Sequence, residues 1–177
     1  QIAAMKEEVT NALHKKRSIL FTKKTEELQP LYLLISVSDR RAVILWALEG
    51  AEKAAAEISV SNEPALQCIR AARDWAAGKI KMPLAKKAIL ACHAAAKASK
   101  DAADAALFHA VAQACSAVHT PSHGPGLALY ELTAIVRRNP TDWEDKVKER
   151  LADLLTRLLY WRDHWQEQKD WADFLIR

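Results

Sequence analysis

Glycine is scarce in this chain, with four residues among 177. That scarcity nearly excludes the phosphate-cradling loops of nucleotide-binding enzymes, and no Walker loop, dinucleotide fingerprint or G-x-S-x-G elbow occurs. β-Branched residues are few and never alternate cleanly with polar ones, which argues for helix throughout. Three cysteines, Cys68, Cys92 and Cys115, are odd in number and widely spaced on apolar helical faces. They fit buried reduced thiols of a cytoplasmic protein better than a disulfide framework. Charge is missing altogether between Asp104 and Glu131. A membrane span is still excluded, because Gln113 and three histidines interrupt the run and Pro121, Gly124, Pro125 and Gly126 break it. A core helix followed by a loop at His119–Gly126 is expected instead. No basic n-region, apolar h-region and cleavage site opens the chain. Gln1 is no initiator, so further residues are expected before it.

What the chain has is alanine. The stretch Pro83–Tyr130 holds two alanine-dense segments that meet at Ser99-Lys100-Asp101. Alanine is the best helix former and adds almost no bulk, so two such helices can approach closely. They are expected to form the central pair. Around them the periodicity predicts a first helix over 2–17 with Ile2, Met5, Val9, Ala12 and Leu13 on one face, and a second over 25–37 with Thr25 as cap. The apolar run 31–35 leaves a short buried strand open there. Asp39 caps a helix to residue 58, Pro64 begins another that Gly78 ends, and Asp101 caps the second alanine-rich helix. Residues 127–138 are helical up to Asn139-Pro140. In the long final helix Val147, Leu151, Leu154, Leu158, Trp161 and Trp165 step by four and three, the spacing of a coiled-coil seam. Trp171, Phe174 and Leu175 follow. The reading is an all-α single compact bundle of seven to eight helices, with 1–38 and 141–177 flanking a core at 39–138.

The net charge of +4 is mild, and residues 1–24 carry six Lys and Arg against two Glu. A nucleic-acid surface needs aromatics or glycine between the charges, so nucleic acid is not the expected partner. Candidate chemistry is thin. His93, His109, His119 and His123 are enough imidazoles for a transition metal. The segment HTPSH, however, is not the H-E-x-x-H helix of a zincin, and no Glu-x-x-His pair occurs. Cys92 and His93 point about 100° apart on a helix, so they make no nucleophile–base pair. No carboxylates pair in an apolar context. Neither catalysis nor a cofactor is expected. Arg70, Arg73 and Trp75 form a candidate binding patch, with Arg70 pairing to Asp74 over Trp75.

The run Pro64–Ile80, PALQCIRAARDWAAGKI, resembles a pattern of the Imm-5-like family of bacterial immunity proteins, close to P-x-x-A-I-x-A-A-R-x-W-A-x-G-x-I. The likeness continues at Ala91–Lys97, at Ala112–His119, at His123 and at Ala128–Tyr130. Cys68, Lys97 and the prolines and glycine after His119 depart from the family pattern. The resemblance implies a cytoplasmic helical protein that binds and neutralises a cognate toxin and carries no catalytic residues. Arg70, Arg73, Trp75, His93, His119 and His123 are the candidate binding residues. The rivals are a scaffold or regulator forming a homodimer through the Trp-rich C-terminal helix, and a metal-binding protein built on the four histidines.

Overall fold

The structure is a computed structural model that describes residues 2–177. Every regular element among them is helical: α1 (Ile2–His14), α2 (Gln29–Val37), α3 (Arg40–Ala56), α4 (Glu63–Ala76), α5 (Met82–Ala98), α6 (Ala102–Ser116), α7 (Gly124–Arg138), α8 (Trp143–His164) and the single turn α9 (Asp173–Ile176). The all-α bundle with a long C-terminal helix is therefore what the chain adopts. Asp39 accepts from the Arg41 amide at 2.9 Å and Asp101 from the Ala103 amide at 2.7 Å, so both expected caps form. Thr25 instead precedes a 3-10 turn, and its hydroxyl donates to Glu8 at 2.6 Å, tying the entry of α2 to α1. The run 31–35 is helix, not strand. Pro30 is tolerated in the first turn, and the helix buries Leu31 and Ile35. On α1, Met5, Val9 and Ala12 are buried but Leu13 faces out, 39 % exposed; the Ile2 side chain lies outside the described residues.

The centre is not the expected pair. Helix α6 is buried nearly all round, but its companion at the centre is α3, buried on every side over residues 42–48, where it carries Val43, Ile44, Leu45, Trp46 and Leu48. Helix α5 packs on α6 from outside and buries one stripe, Ala85, Ile89, Cys92 and Ala96. Burial free energy follows apolar area, so the innermost place goes to the helix with bulk on all sides rather than to the one richest in alanine.

The expected loop at His119–Gly126 is also shorter. A 3-10 turn spans Pro121–His123 and α7 starts at Gly124. Pro125 sits in its first turn, and the glycines serve close packing. A Cβ on Gly126 would stand 2.9 Å from the Gln113 Cβ of α6, and Gly50 of α3 leaves room for Leu127 alone. In α8, Val147, Leu151, Leu154 and Leu158 are buried against the chain's own helices, and the Trp46 indole donates to the Leu154 carbonyl at 3.0 Å. The seam is thus closed within the chain.

Gly78, at φ 78°, ends α4 with the Lys79 amide donating to the Asp74 carbonyl at 2.8 Å and its own amide to Trp75 at 3.0 Å. That paired pattern is a Schellman motif. The tail after α8 returns onto this cap. The Ala172 amide donates to the Ala76 carbonyl at 2.7 Å, and Ala172 and Leu175 are buried.

Candidate functional site

The four histidines separate into two places. His93 of α5 and His109 of α6 meet with their Nδ1 atoms 2.7 Å apart, and His109 lies against the Tyr130 ring of α7 at 5.0 Å between centroids. One nitrogen must donate and the other accept, so the pair shares a single proton. Burial holds both below the usual imidazole range; the positive Lys97 adds to this, as does His123 for His93 and His93 for His109. His123 stands at the rim, its Nδ1 3.2 Å from the Gln113 side-chain oxygen. His119 belongs to another neighbourhood, stacked on Trp75 at 6.0 Å between centroids and 12° between planes. The four candidate histidines of the metal-binding rival do not converge, and among the described residues no group of three or more His, Cys, Asp or Glu is placed to hold a metal ion. Two imidazoles on one tetrahedral zinc would stand about 3.3 Å apart. The short His93–His109 contact is a hydrogen bond.

The Arg70–Asp74 pair over Trp75 does not form. Arg70 bonds Glu63 at 2.8 Å, and Arg73 bonds Glu52 of α3 at 3.0 Å. Residues two apart on a helix point about 200° apart, so Arg73 and Trp75 occupy opposite sides. Both arginine pairs are solvated, and such pairs add little stability. Trp75 is buried between His119 and Phe174, 6.2 Å from the latter ring. With Ile80, Lys81, Trp171 and Arg177 these residues line a cleft of about 540 Å³. Its far wall comes from the last residues of the chain, which no local pattern links to α4. Trp161 bonds Glu49 at 3.0 Å and Trp165 covers the Arg41 guanidinium at 4.0 Å. These rings, on which the homodimer expectation rested, are engaged within the chain.

A buried ionic cluster went unread in the sequence, where no paired carboxylate in an apolar setting was expected. Glu131 of α7 is 0 % exposed and accepts from Arg150 of α8 at 2.7 Å; Arg150 also holds Glu57, the residue capping α3, at 2.9 Å. Asp104 of α6 is buried too and accepts from the Ser59 hydroxyl at 2.6 Å and from Arg138 at 2.7 Å. Burial pushes the Glu131 carboxyl up, and Arg150 and Arg157 oppose that rise. Arg157 is buried beside Asp153, its Nε 3.2 Å from the carboxylate but off the line of a hydrogen bond. A cleft of about 460 Å³ opens over Glu57, Arg138 and Arg150. Arg138 and Arg150 each have a carboxylate partner, so the cluster clamps α3, α6, α7 and α8 together. The readable signal was positional. Asp104 and Glu131 are the two ends of the uncharged run, and an acid at the edge of an otherwise apolar helix face marks a paired buried charge.

The three cysteines also come together, one each from α4, α5 and α6. The Cys68 thiol faces those of Cys115 and Cys92, and Cys92 donates to the Phe108 carbonyl at 3.2 Å. The Cys115 thiol foremost pushes Cys68 up, and the Cys68 thiol, then burial, pushes Cys92 up; all three are free thiols.

No curated protein and no solved structure matches the chain. A family model does, described as "Imm-5 like putative immunity protein", over residues 33–159. That span is wider than the 39–138 stretch whose motifs carried the resemblance. It takes in α3 to α7, most of α2 and most of α8, and stops before the tail that closes over Trp75. Of the motif residues, Trp75 and His119 meet in one cleft, and His93 and Tyr130 both touch His109 at a separate place. With well over half of its length matched, the chain belongs to the Imm-5-like family of immunity proteins.

Proposed function

We propose that this is a cytoplasmic bacterial immunity protein, a single helical domain that neutralises its cognate toxin by direct binding and performs no chemistry of its own. The family match over residues 33–159 carries this reading. The polar clusters support it as well. The two members of the His93–His109 pair and of the Glu131–Arg150 pair bond each other, the three thiols are buried, and none of these clusters leaves a base poised toward an open cleft beside a nucleophile. An immunity protein needs a rigid scaffold and a complementary exterior, and a close-packed core of helices supplies the first. Of the candidate contacts Arg70, Arg73, Trp75, His93, His119 and His123, the exposed Arg70, Arg73, His119 and His123 are open to a partner, His93 is half-buried and Trp75 is buried. Among the described residues no helix is long and apolar enough to cross a membrane. A self-associating scaffold has less behind it, resting on Leu159 and Tyr160, which face outward on α8.

The test is genetic. Cells expressing the toxin domain encoded beside this gene are expected to die without the protein and to grow with it. No rescue, or a neighbouring gene that encodes no large secreted or multidomain protein, would overturn the reading.

A further inference from the structure

Residues 75–100 hold six of the chain's 26 Lys and Arg and none of its 22 Asp and Glu, so the remainder of the molecule is net acidic. Lys79, Lys81, Lys86, Lys87, Lys97 and Lys100 are all exposed along α5 and its two ends. Among the described residues none of the six makes an ion pair, whereas Arg41, Arg70, Arg73, Arg138 and Arg150 are all paired elsewhere. Along Lys86, Lys87 and Lys97 a row of like charges without ion pairs raises the local potential and repels itself, so it costs stability unless a partner uses it. Helix α5 also shows Leu84 and Leu90, 58 % and 57 % exposed, beside the small residues Ala91 and Ala94. These leucines are the apolar surface that the outer place of α5 leaves uncovered.

We infer that the outer face of α5 is the surface that docks the toxin, and that the toxin meets it with an acidic surface around an apolar centre. This rests on the immunity reading above and names the partner's chemistry. The pattern of the face selects among polyanions. At about 100° per residue, Lys87 lies between Leu84 and Leu90 around the helix, so charge and grease are interleaved. A helix that inserts into a lipid surface separates them onto opposite faces. A nucleic-acid groove uses arginine and stacking aromatics among its lysines; residues 84–97 contain no Arg, Phe, Tyr or Trp, and exposed leucines add nothing to phosphate recognition. Apolar side chains ringed by lysine match an apolar interface core with a charged rim. A basic immunity surface also predicts that an acidic region of the toxin is covered, rather than a groove that binds nucleic-acid phosphates.

Calorimetric titration of the purified protein with the toxin domain encoded beside its gene tests this. The triple variant K86E/K87E/K97E should raise Kd by about 30-fold or more, chiefly through slower association, and should flatten the salt dependence. K86Q/K87Q/K97Q should lie between it and the wild type, and Leu90→Ala should weaken binding about tenfold. K6E/K15E/K24E changes the net charge equally and should leave Kd within about threefold. All these positions are exposed, and unchanged thermal unfolding establishes that each variant is folded. Wild-type binding that the α5 variants leave intact overturns the surface and spares the immunity reading. Failure of the wild type to bind overturns both. Tighter binding to phosphatidylserine vesicles or to a short DNA duplex than to the toxin, at physiological salt, overturns the choice of an acidic protein.

Discussion

His93 and His109 share one proton across a 2.7 Å gap between their Nδ1 atoms, with the Tyr130 ring closing the far side of His109. Two imidazolium rings cannot keep that contact, since both nitrogens would be donors. Burial holds both groups below the ordinary value of 6.5, so the unfolded chain takes up protons first as the pH falls. Their contribution to stability is full above 6.5 and is lost as the pH drops through the folded-state values. Glu131 works in the opposite sense at lower pH, because its raised carboxyl gains its proton earlier in the folded state. Comparing the wild type with His93→Phe at each pH cancels that term. Urea midpoints measured between pH 8 and pH 5 are expected to fall more steeply for the wild type, and the His109 resonance is expected to titrate at higher pH in the variant.

Among the described residues, Arg150 is the one hydrogen-bonded partner of the buried Glu131 carboxylate. Arg150→Ala leaves a carboxylate with no counter-charge in hydrogen-bond reach. It is expected to cost about 3–5 kcal/mol in urea unfolding. Replacing Glu131 and Arg150 together by leucine and methionine is expected to recover most of that loss, because the desolvation cost disappears with the charges.

Gly78 holds a left-handed turn, and its missing Cβ leaves 3.2 Å to the Ala172 backbone. Gly78→Ala is expected to destabilise by about 1–2 kcal/mol through the unfavourable φ alone. It is also expected to lift the tail off α4. Hydrogen exchange at the Ala172 amide, bonded to Ala76, should quicken more than exchange within α6.

The Cys68, Cys92 and Cys115 thiols are buried, and Cys68 and Cys92 resist ionisation. Only the thiolate reacts with alkylating reagents. Iodoacetamide is expected to label none of the three in native buffer and all three in denaturant, as read by mass spectrometry. Fast native labelling of any of them would show that the α4–α5–α6 junction opens.

The helices were legible because their punctuation is local. Asp39, Asp101, Pro64, Pro83 and Gly78 each act within a turn of themselves, and all five sit at helix ends. The order of layers was not. Alanine density foretold that α5 and α6 would touch, but the centre belonged to α3, whose volume only counts once its neighbours are known. Gly124 and Gly126 show the same limit from the other side. A Pro-Gly-rich string spells a loop, yet here Gly126 makes room for Gln113 from a helix ten residues back. Trp75 and His119 meet in one cleft, but Phe174 arrives there from residues 173–176, and neither period nor spacing links it to α4. The Glu131–Arg150 pair spans 19 residues and two helices, so it too needed the fold.

The central claim is that the exterior of this bundle acts on another protein. Light scattering of the purified protein mixed with the toxin domain encoded beside its gene tests that most directly. The account predicts a stoichiometric complex that persists at nanomolar concentrations, about −12 kcal/mol of binding free energy. Two species that elute separately at tens of micromolar would contradict it.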